Sequence, residues 1–267
     1  MACPAWAGES STGARVRRLQ RSSEARSPRR VCSLFSGGKD STYALHWAVL
    51  KGFEVACLVT VKPRAEDSMM FHVPYVELAR LQAEALGLPI VYYEQGSEDD
   101  VKALRRAVSA ACEEYGCTSI VTGALKSDYQ RLRVSIVAEE LGLEVFNPLW
   151  RKNQEEYLRE LVRQGFRFIV TSISAKGLSP DFLGRVIGVD DVEAIIELAR
   201  RHGFNPAFEG GEAETLVVDA PLFRKVLMVE GHPVRVSEYN WAFKITKVEL
   251  LDKYSSSLTA STVASSG

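Results

Sequence analysis

From residue 31 onward, short apolar runs alternate with amphipathic stretches of ten or more residues. Residues 31–35, 54–60, 90–93, 119–122 and 144–146 read as strands, each too short and too continuously apolar for a surface helix. Between them lie helix patterns: one runs from the glycine pair 37–38 to about Leu50, and another from Pro74 to Gly87. A third is capped by Ser97 and ends at Gly116, and a fourth spans about 129–141. Pro74 suits a first helical turn, where its missing N–H costs nothing. Glu98, Asp99 and Asp100 suit the positive end of the third helix. Strands separated by helices predict a parallel sheet covered on both faces, an α/β, doubly wound, mostly parallel arrangement. After Pro148 the rhythm changes. A helix at 154–164, a strand at 168–173 and a helix at 190–202 precede closely spaced strands at 215–219, 225–229, 234–238 and 243–250. That succession predicts a smaller α+β domain. No internal repeat is visible.

Composition changes this picture mainly at the ends. The 267 residues are 46% hydrophobic and 25% charged, with net charge −1, which excludes a disordered chain, a collagen-like repeat and a disulfide scaffold. No run of 18 apolar residues occurs, so no membrane-spanning helix is expected. The neutrality is a sum of opposites. Seven arginines against two glutamates make residues 1–30 a +5 leader, and the remainder carries −6. The leader is Arg- and Ser-rich without an apolar segment, so it is not a secretory signal. A disordered arm or an over-extended start fits it, and a transit peptide shares its composition. The Ser/Thr/Ala-rich tail from 253 to 267 is expected to be disordered. The five cysteines form no C-x-x-C pair and the four histidines are dispersed, so no zinc site is expected and the thiols are read as reduced in a cytoplasmic protein.

Three polar segments carry chemistry. The first is Ser36-Gly37-Gly38-Lys39-Asp40-Ser41, between the first strand and its helix. Adjacent glycines allow close backbone approach, and the helix start points N–H groups at one spot, which is an anion site. Lys39 adds a charge, and Ser36 and Ser41 add donors. Asp40 follows the lysine where a Walker A loop needs Ser or Thr. The second is Gly123-Ala124-Leu125-Lys126-Ser127-Asp128-Tyr129-Gln130-Arg131-Leu132-Arg133, after the fourth strand. With strand order 3-2-1-4-5, these two loops face each other at the switch point where such sheets bind ligands. Lys126, Arg131 and Arg133 can neutralise phosphates, and Tyr129 can stack. The third is Phe208-Glu209-Gly210-Gly211-Glu212-Ala213-Glu214-Thr215, whose clustered carboxylates suit a cation or a shared proton.

The first string resembles the PP-loop of N-type ATP pyrophosphatases. Together with Gly-Ala-x-x-Ser-x-Tyr-Gln-Arg, Pro148-Leu149-Trp150 and Glu-Gly-Gly-Glu-x-Glu-Thr, in this order, it resembles the diphthine–ammonia ligase family over about residues 30–250. Ser135 and Phe208 depart from that pattern, the latter standing where glycine often precedes the glutamate. The resemblance implies an adenine nucleotide alpha hydrolase-like, HUP-type domain over 31–150 and a substrate-binding domain over 151–252. It implies ATP-dependent amidation of diphthine on translation elongation factor 2 with free ammonia, through an acyl-adenylate, giving AMP and pyrophosphate.

On this reading ATP and Mg²⁺ are the cofactors. Ser36, Gly37, Gly38, Lys39, Asp40, Ser41, Gly123 and Tyr129 bind the nucleotide, with Asp40 as metal ligand. Lys39 and Lys126 stabilise the leaving pyrophosphate, and one glutamate of the acidic segment, with Glu212 the candidate, is the base. The acceptor, with its trimethylammonium group, meets Tyr129, Gln130, Arg131, Trp150, Glu209, Gly210, Gly211, Glu212 and Glu214, with Trp241 a further aromatic. Two other readings stay open: a tRNA-modifying PP-loop enzyme of the thiolase or lysidine type, and a non-catalytic nucleotide-binding module. The acidic body disfavours a nucleic-acid partner.

Overall fold

In a computed structural model, residues 29–64 and 75–253 are described. The expectations for the leader up to residue 28, for Pro74 and for the tail from 254 lie outside these residues.

The first half alternates as expected. It comprises β1 (Arg30–Leu34), α1 (Lys39–Leu50), β2 (Glu54–Lys62), α2 (Ala79–Leu86, preceded by a 3-10 turn), β3 (Ile90–Glu94), α3 (Asp100–Tyr115), β4 (Ser119–Val121), α4 (Asp128–Glu140) and β5 (Glu144–Phe146). All pairings are parallel and the order is β3-β2-β1-β4-β5, as the switch-point argument requires. Seven consecutive residues of β2, Val55 to Val61, are buried, as expected of a strand covered on both faces. The cap of α3 differs from expectation. Asp99, not Ser97, accepts the Lys102 N–H at 2.9 Å. Only Asp99 stands at the last non-helical residue, from which a side chain reaches the third helical N–H.

The second half comprises α5 (Gln154–Arg163), β6 (Arg167–Ile173), α6 (Val189–His202), β7 (Ala213–Asp219), β8 (Lys225–Arg235) and β9 (Trp241–Asp252). Its sheet is separate and antiparallel, in the order β7-β6-β9-β8. The strand expected at 225–229 runs on to Arg235, and residues 236–238 of the second expected strand lie instead in the turn to β9. Gly231-His232-Pro233 does not interrupt β8, because the register shifts by a bulge between Glu230 and Gly231. A Cβ at Gly231 would lie 2.5 Å from the Lys244 carbonyl oxygen, so only glycine permits the approach. Pro233 is tolerated on an edge strand, where an N–H is not needed.

α1 is buried on nearly every side, including Lys39, Ser41, Thr42 and His46, because it lies between the parallel sheet and the second half. One continuous apolar core runs from Val31, Leu45 and Leu58 through Leu158 and Leu161 to Phe168 and Val217. A second core, under α3 and α4, gathers Cys32, Cys57, Leu104, Val108 and Val137. The described cysteines are all free, in line with the expected reduced thiols. Among the described residues no helix is long and apolar enough to cross a membrane.

Candidate functional site

The glycine loop leaves the end of β1 and turns directly into α1. Gly37 has φ +83°, the left-handed conformation that favours glycine, and Gly38 precedes the first helical residue. Ser36 and Ser41 face each other across the turn with their Oγ atoms 3.2 Å apart, and Ser36 N–H donates to Ser41 Oγ at 3.2 Å. Lys39 is only 3% exposed. Its Nζ is 2.9 Å from Asp40 Oδ2 and 5.5 Å from the centre of the Phe208 ring. A buried ammonium needs such a partner. Asp40 is held in turn. Tyr157, fully buried on α5, donates its hydroxyl to Asp40 Oδ1 at 2.8 Å. Burial, with Asp40 close by, raises the Tyr157 phenol well above its ordinary range, so it stays a donor.

The second loop meets the first backbone to backbone. A Cβ on Gly123 would stand 2.6 Å from the Asp40 carbonyl carbon and the Ser41 nitrogen, so the second loop can touch the first turn of α1 only through a glycine. Ser127 caps α4 by accepting the Gln130 N–H at 3.3 Å. Together the loops wall a cleft of about 790 Å³, counting its open mouth. Its lining includes Ser36, Asp40, Ser41, Gly123, Gln130 and Glu209.

The acidic turn closes the arrangement from the second half. Glu209 Oε2 accepts the Lys126 backbone N–H at 3.0 Å, joining the turn to the second loop. Thr215 Oγ1 accepts the Lys39 backbone N–H at 3.2 Å, joining it to the first. Glu212 is turned inward on its own loop. Its Oε1 accepts from Asn205 N–H at 3.0 Å and its Oε2 from Gly210 N–H at 2.7 Å, so it braces the turn. Gly211 takes φ +78° and Gly210 leaves room for the Glu212 carboxylate. Glu214 lies in β7 opposite Ser172. Phe208, at the position where glycine often stands, has φ +64°, a conformation that costs a non-glycine residue of order 1–3 kcal/mol. Its ring is buried against Lys39 in exchange.

Other expected residues are placed elsewhere. Tyr129 and Arg133 line a separate depression with Asp99, Lys102, Arg105 and Glu140, and the Arg133 guanidinium lies 3.1 Å from the Tyr129 ring centre. Arg131 pairs with Asp128 at 3.0 Å and stacks over Trp150 at 4.6 Å. The Lys126 side chain is exposed at the second loop. Trp241 is half-buried in β9 opposite Ile173. Two residues absent from the sequence reading support the glycine loop: Tyr157, described above, and Gln82 on α2, whose Nε2 donates to the Gly37 carbonyl at 2.9 Å. An uncharged glutamine in a helix carries no signal of such a role.

A family model described as Diphthamide synthase N-terminal domain matches residues 29–145, and one described as Diphthamide synthase C-terminal domain matches residues 153–254. A Homo sapiens protein named diphthine–ammonia ligase is 33% identical over 227 residues, covering 77% of this chain and 84% of that protein. A Bos taurus protein of the same name gives the same identity and coverage. The Danio rerio protein so named is 32% identical over 223 residues, covering 76% of this chain and 87% of its own.

Proposed function

The chain belongs to the diphthamide synthase family, and from that premise we propose that it joins ammonia to the carboxylate of diphthine on translation elongation factor 2, using ATP. The observation that carries this reading is the convergence of three segments. The glycine loop, the Gly123 loop and the acidic turn meet at one cleft, held by Glu209 to Lys126 and Thr215 to Lys39. The same reading divides the chain at about residue 150 into a nucleotide half and an acceptor half.

A carboxylate is a poor electrophile, so it must be activated before an amine can displace anything from it. In the proposed sequence a diphthine carboxylate oxygen attacks the α-phosphorus of ATP, and the bond to the β-phosphate oxygen breaks, releasing pyrophosphate. Ammonia then attacks the acyl carbon of the adenylate. AMP leaves with the electron pair of the acyl–oxygen bond, and the nitrogen gives up a proton. Ser36 to Ser41 receive the β- and γ-phosphates, with Lys39 and Lys126 countering charge on the leaving group. One well-placed donor in such a site is worth about 3–4 kcal/mol.

Glu209 lines the cleft, so it suits the cationic side of the reaction: attraction of the trimethylammonium group and of ammonium. Glu212, with both oxygens on loop N–H groups, suits bracing the turn better than the base role that its place in the motif implied. Asp40 likewise suits anchoring Lys39 and Tyr157. Each of its oxygens serves a protein donor, and no cluster of three metal-binding side chains occurs among the described residues. Among the described residues, protein side chains alone thus form no magnesium site.

The test is product analysis with ATP, ammonium and the diphthine-bearing factor, with tRNA as the alternative acceptor. AMP and pyrophosphate that require both ammonium and the factor are expected, and Glu209→Gln is expected to lower the rate more than Glu212→Gln. ADP and phosphate as products, or pyrophosphate release stimulated by tRNA instead, would overturn the reading.

A further inference from the structure

The acidic motif ends on a hydroxyl, Thr215, that has no assigned part in binding. Among the described residues, three hydroxyls accept a backbone N–H of the glycine loop. Ser41 Oγ takes that of Ser36 at 3.2 Å, Ser36 Oγ takes that of Gly38 at 3.4 Å, and Thr215 Oγ1 takes that of Lys39 at 3.2 Å. These N–H groups surround the start of α1, where backbone donors and the helix dipole favour an anion. Each hydroxyl oxygen thus occupies, in the free loop, a place that a phosphate oxygen can take. Rotation about one bond turns such an acceptor into a donor, because a hydroxyl carries both functions. Ser36 and Ser41 belong to the loop itself, whereas Thr215 arrives from β7, 176 residues further along the chain.

Its placement is built and held. Val217 N–H donates to the Gly37 carbonyl at 2.9 Å, so the loop runs beside β7 like a short added strand. Gly38 makes the approach possible, since a Cβ there would already lie 3.3 Å from the Thr215 carbonyl oxygen. Gln82, completely buried, donates Nε2 to both the Gly37 carbonyl (2.9 Å) and the Val217 carbonyl (2.7 Å), fastening the two chains together. Its Oε1 has no partner, a cost of about 1–3 kcal/mol.

We propose that Thr215 is the third hydroxyl of the phosphate site, a nucleotide-binding residue supplied by the acceptor half and set in register by Gln82. The inference rests on the reading that the glycine loop receives ATP. It makes the strand that carries Glu214 also part of the ATP site.

The test uses the full chain, with ATP, pyrophosphate and AMP as separate probes in titration calorimetry. Thr215→Val keeps the shape of the side chain and removes the hydroxyl. It is expected to weaken ATP and pyrophosphate about tenfold and to leave AMP within twofold, while Thr215→Ser binds all three as the parent does. Thr215→Ala serves if the valine variant does not fold. Unchanged ATP affinity in the hydroxyl-less variants would overturn the proposal, as would equal losses toward ATP and AMP, which mark a merely structural residue. If the parent binds neither ATP nor pyrophosphate, the reading of the loop falls together with the inference. Parental ATP binding that survives Thr215→Val sinks the inference alone.

Discussion

The two faces of the parallel sheet are built from different materials. On the face covered by α3 and α4, the core is small aliphatics and thiols. Ala103, Leu104, Ala107, Val108 and Val137 pack over Cys32, Cys57 and Cys117, and the outer faces of both helices carry charged, exposed residues. On the face covered by α1, polar groups cross the core, among them Asp40 to Tyr157, Tyr43 to Glu160 at 2.7 Å, and His46 to Leu222 N–H at 3.1 Å. There the apolar core continues without a break into the second sheet. One face closes the domain; the other is a joint. Chemistry gathers at the joint because only there do buried charges find partners from two directions.

Matched cavities test that contrast most severely. Leu158 and Val108 are both completely buried, one on each face. Leu158→Ala, next to Tyr157, is expected to cost about 2–5 kcal/mol by urea unfolding and to weaken ATP binding severalfold. Val108→Ala is expected to cost about 2 kcal/mol and to leave ATP affinity within twofold. If both variants affect ATP alike, the division between the faces is wrong.

Acid probes the joint through His46. Burial, reinforced by Lys253 and opposed by the hydrogen bond to the Thr42 carbonyl, lowers its pKa to about 4. The unfolded chain binds this proton near the ordinary value of about 6.5, and the folded chain does not until about 4. Stability is therefore present above pH 6.5 and is lost as the pH falls toward 4, by about 3 kcal/mol. His46→Gln should remove that share of the slope in denaturation curves between pH 7 and 4. An unaltered slope would mean His46 does not report on the joint.

Gly123→Ala sharpens the comparison where the two loops touch. The added methyl must displace the Asp40–Ser41 backbone, and a shift approaching 1 Å is expected to lower pyrophosphate release about a hundredfold, or about 2.7 kcal/mol. A rate within threefold of the parent would show that the contact is slack.

The parallel order and the positions of all three polar segments could be read from the chain, because hydrophobic period and glycine placement are local signals. Residues whose work depends on distant partners could not. Gln82 serves a carbonyl 135 positions away and Tyr157 a carboxylate 117 away, and each looks like an ordinary helical residue in its own neighbourhood. Glu212 and Glu209 were indistinguishable in the motif. Only the fold of the turn sends one carboxylate to its own backbone and the other toward Lys126. Ser97 lost its expected cap because three acidic residues follow it and the helix begins at Asp100. Residues 225–235 hid one long strand because glycine and proline ordinarily end strands, and a bulge at the edge of a sheet is the setting in which they do not.

That edge has a consequence for how the molecule behaves in a crowd. β8 is the outermost strand of its sheet, and from Gly231 to Arg235 its residues are exposed. A regular strand in that position would offer a row of unpaired amides to any neighbour able to dock alongside it. The slip of register at Glu230–Gly231 bends the row, and Pro233 removes one of its donors. Two imperfections in a single strand thus make this edge a poor template for a neighbouring strand.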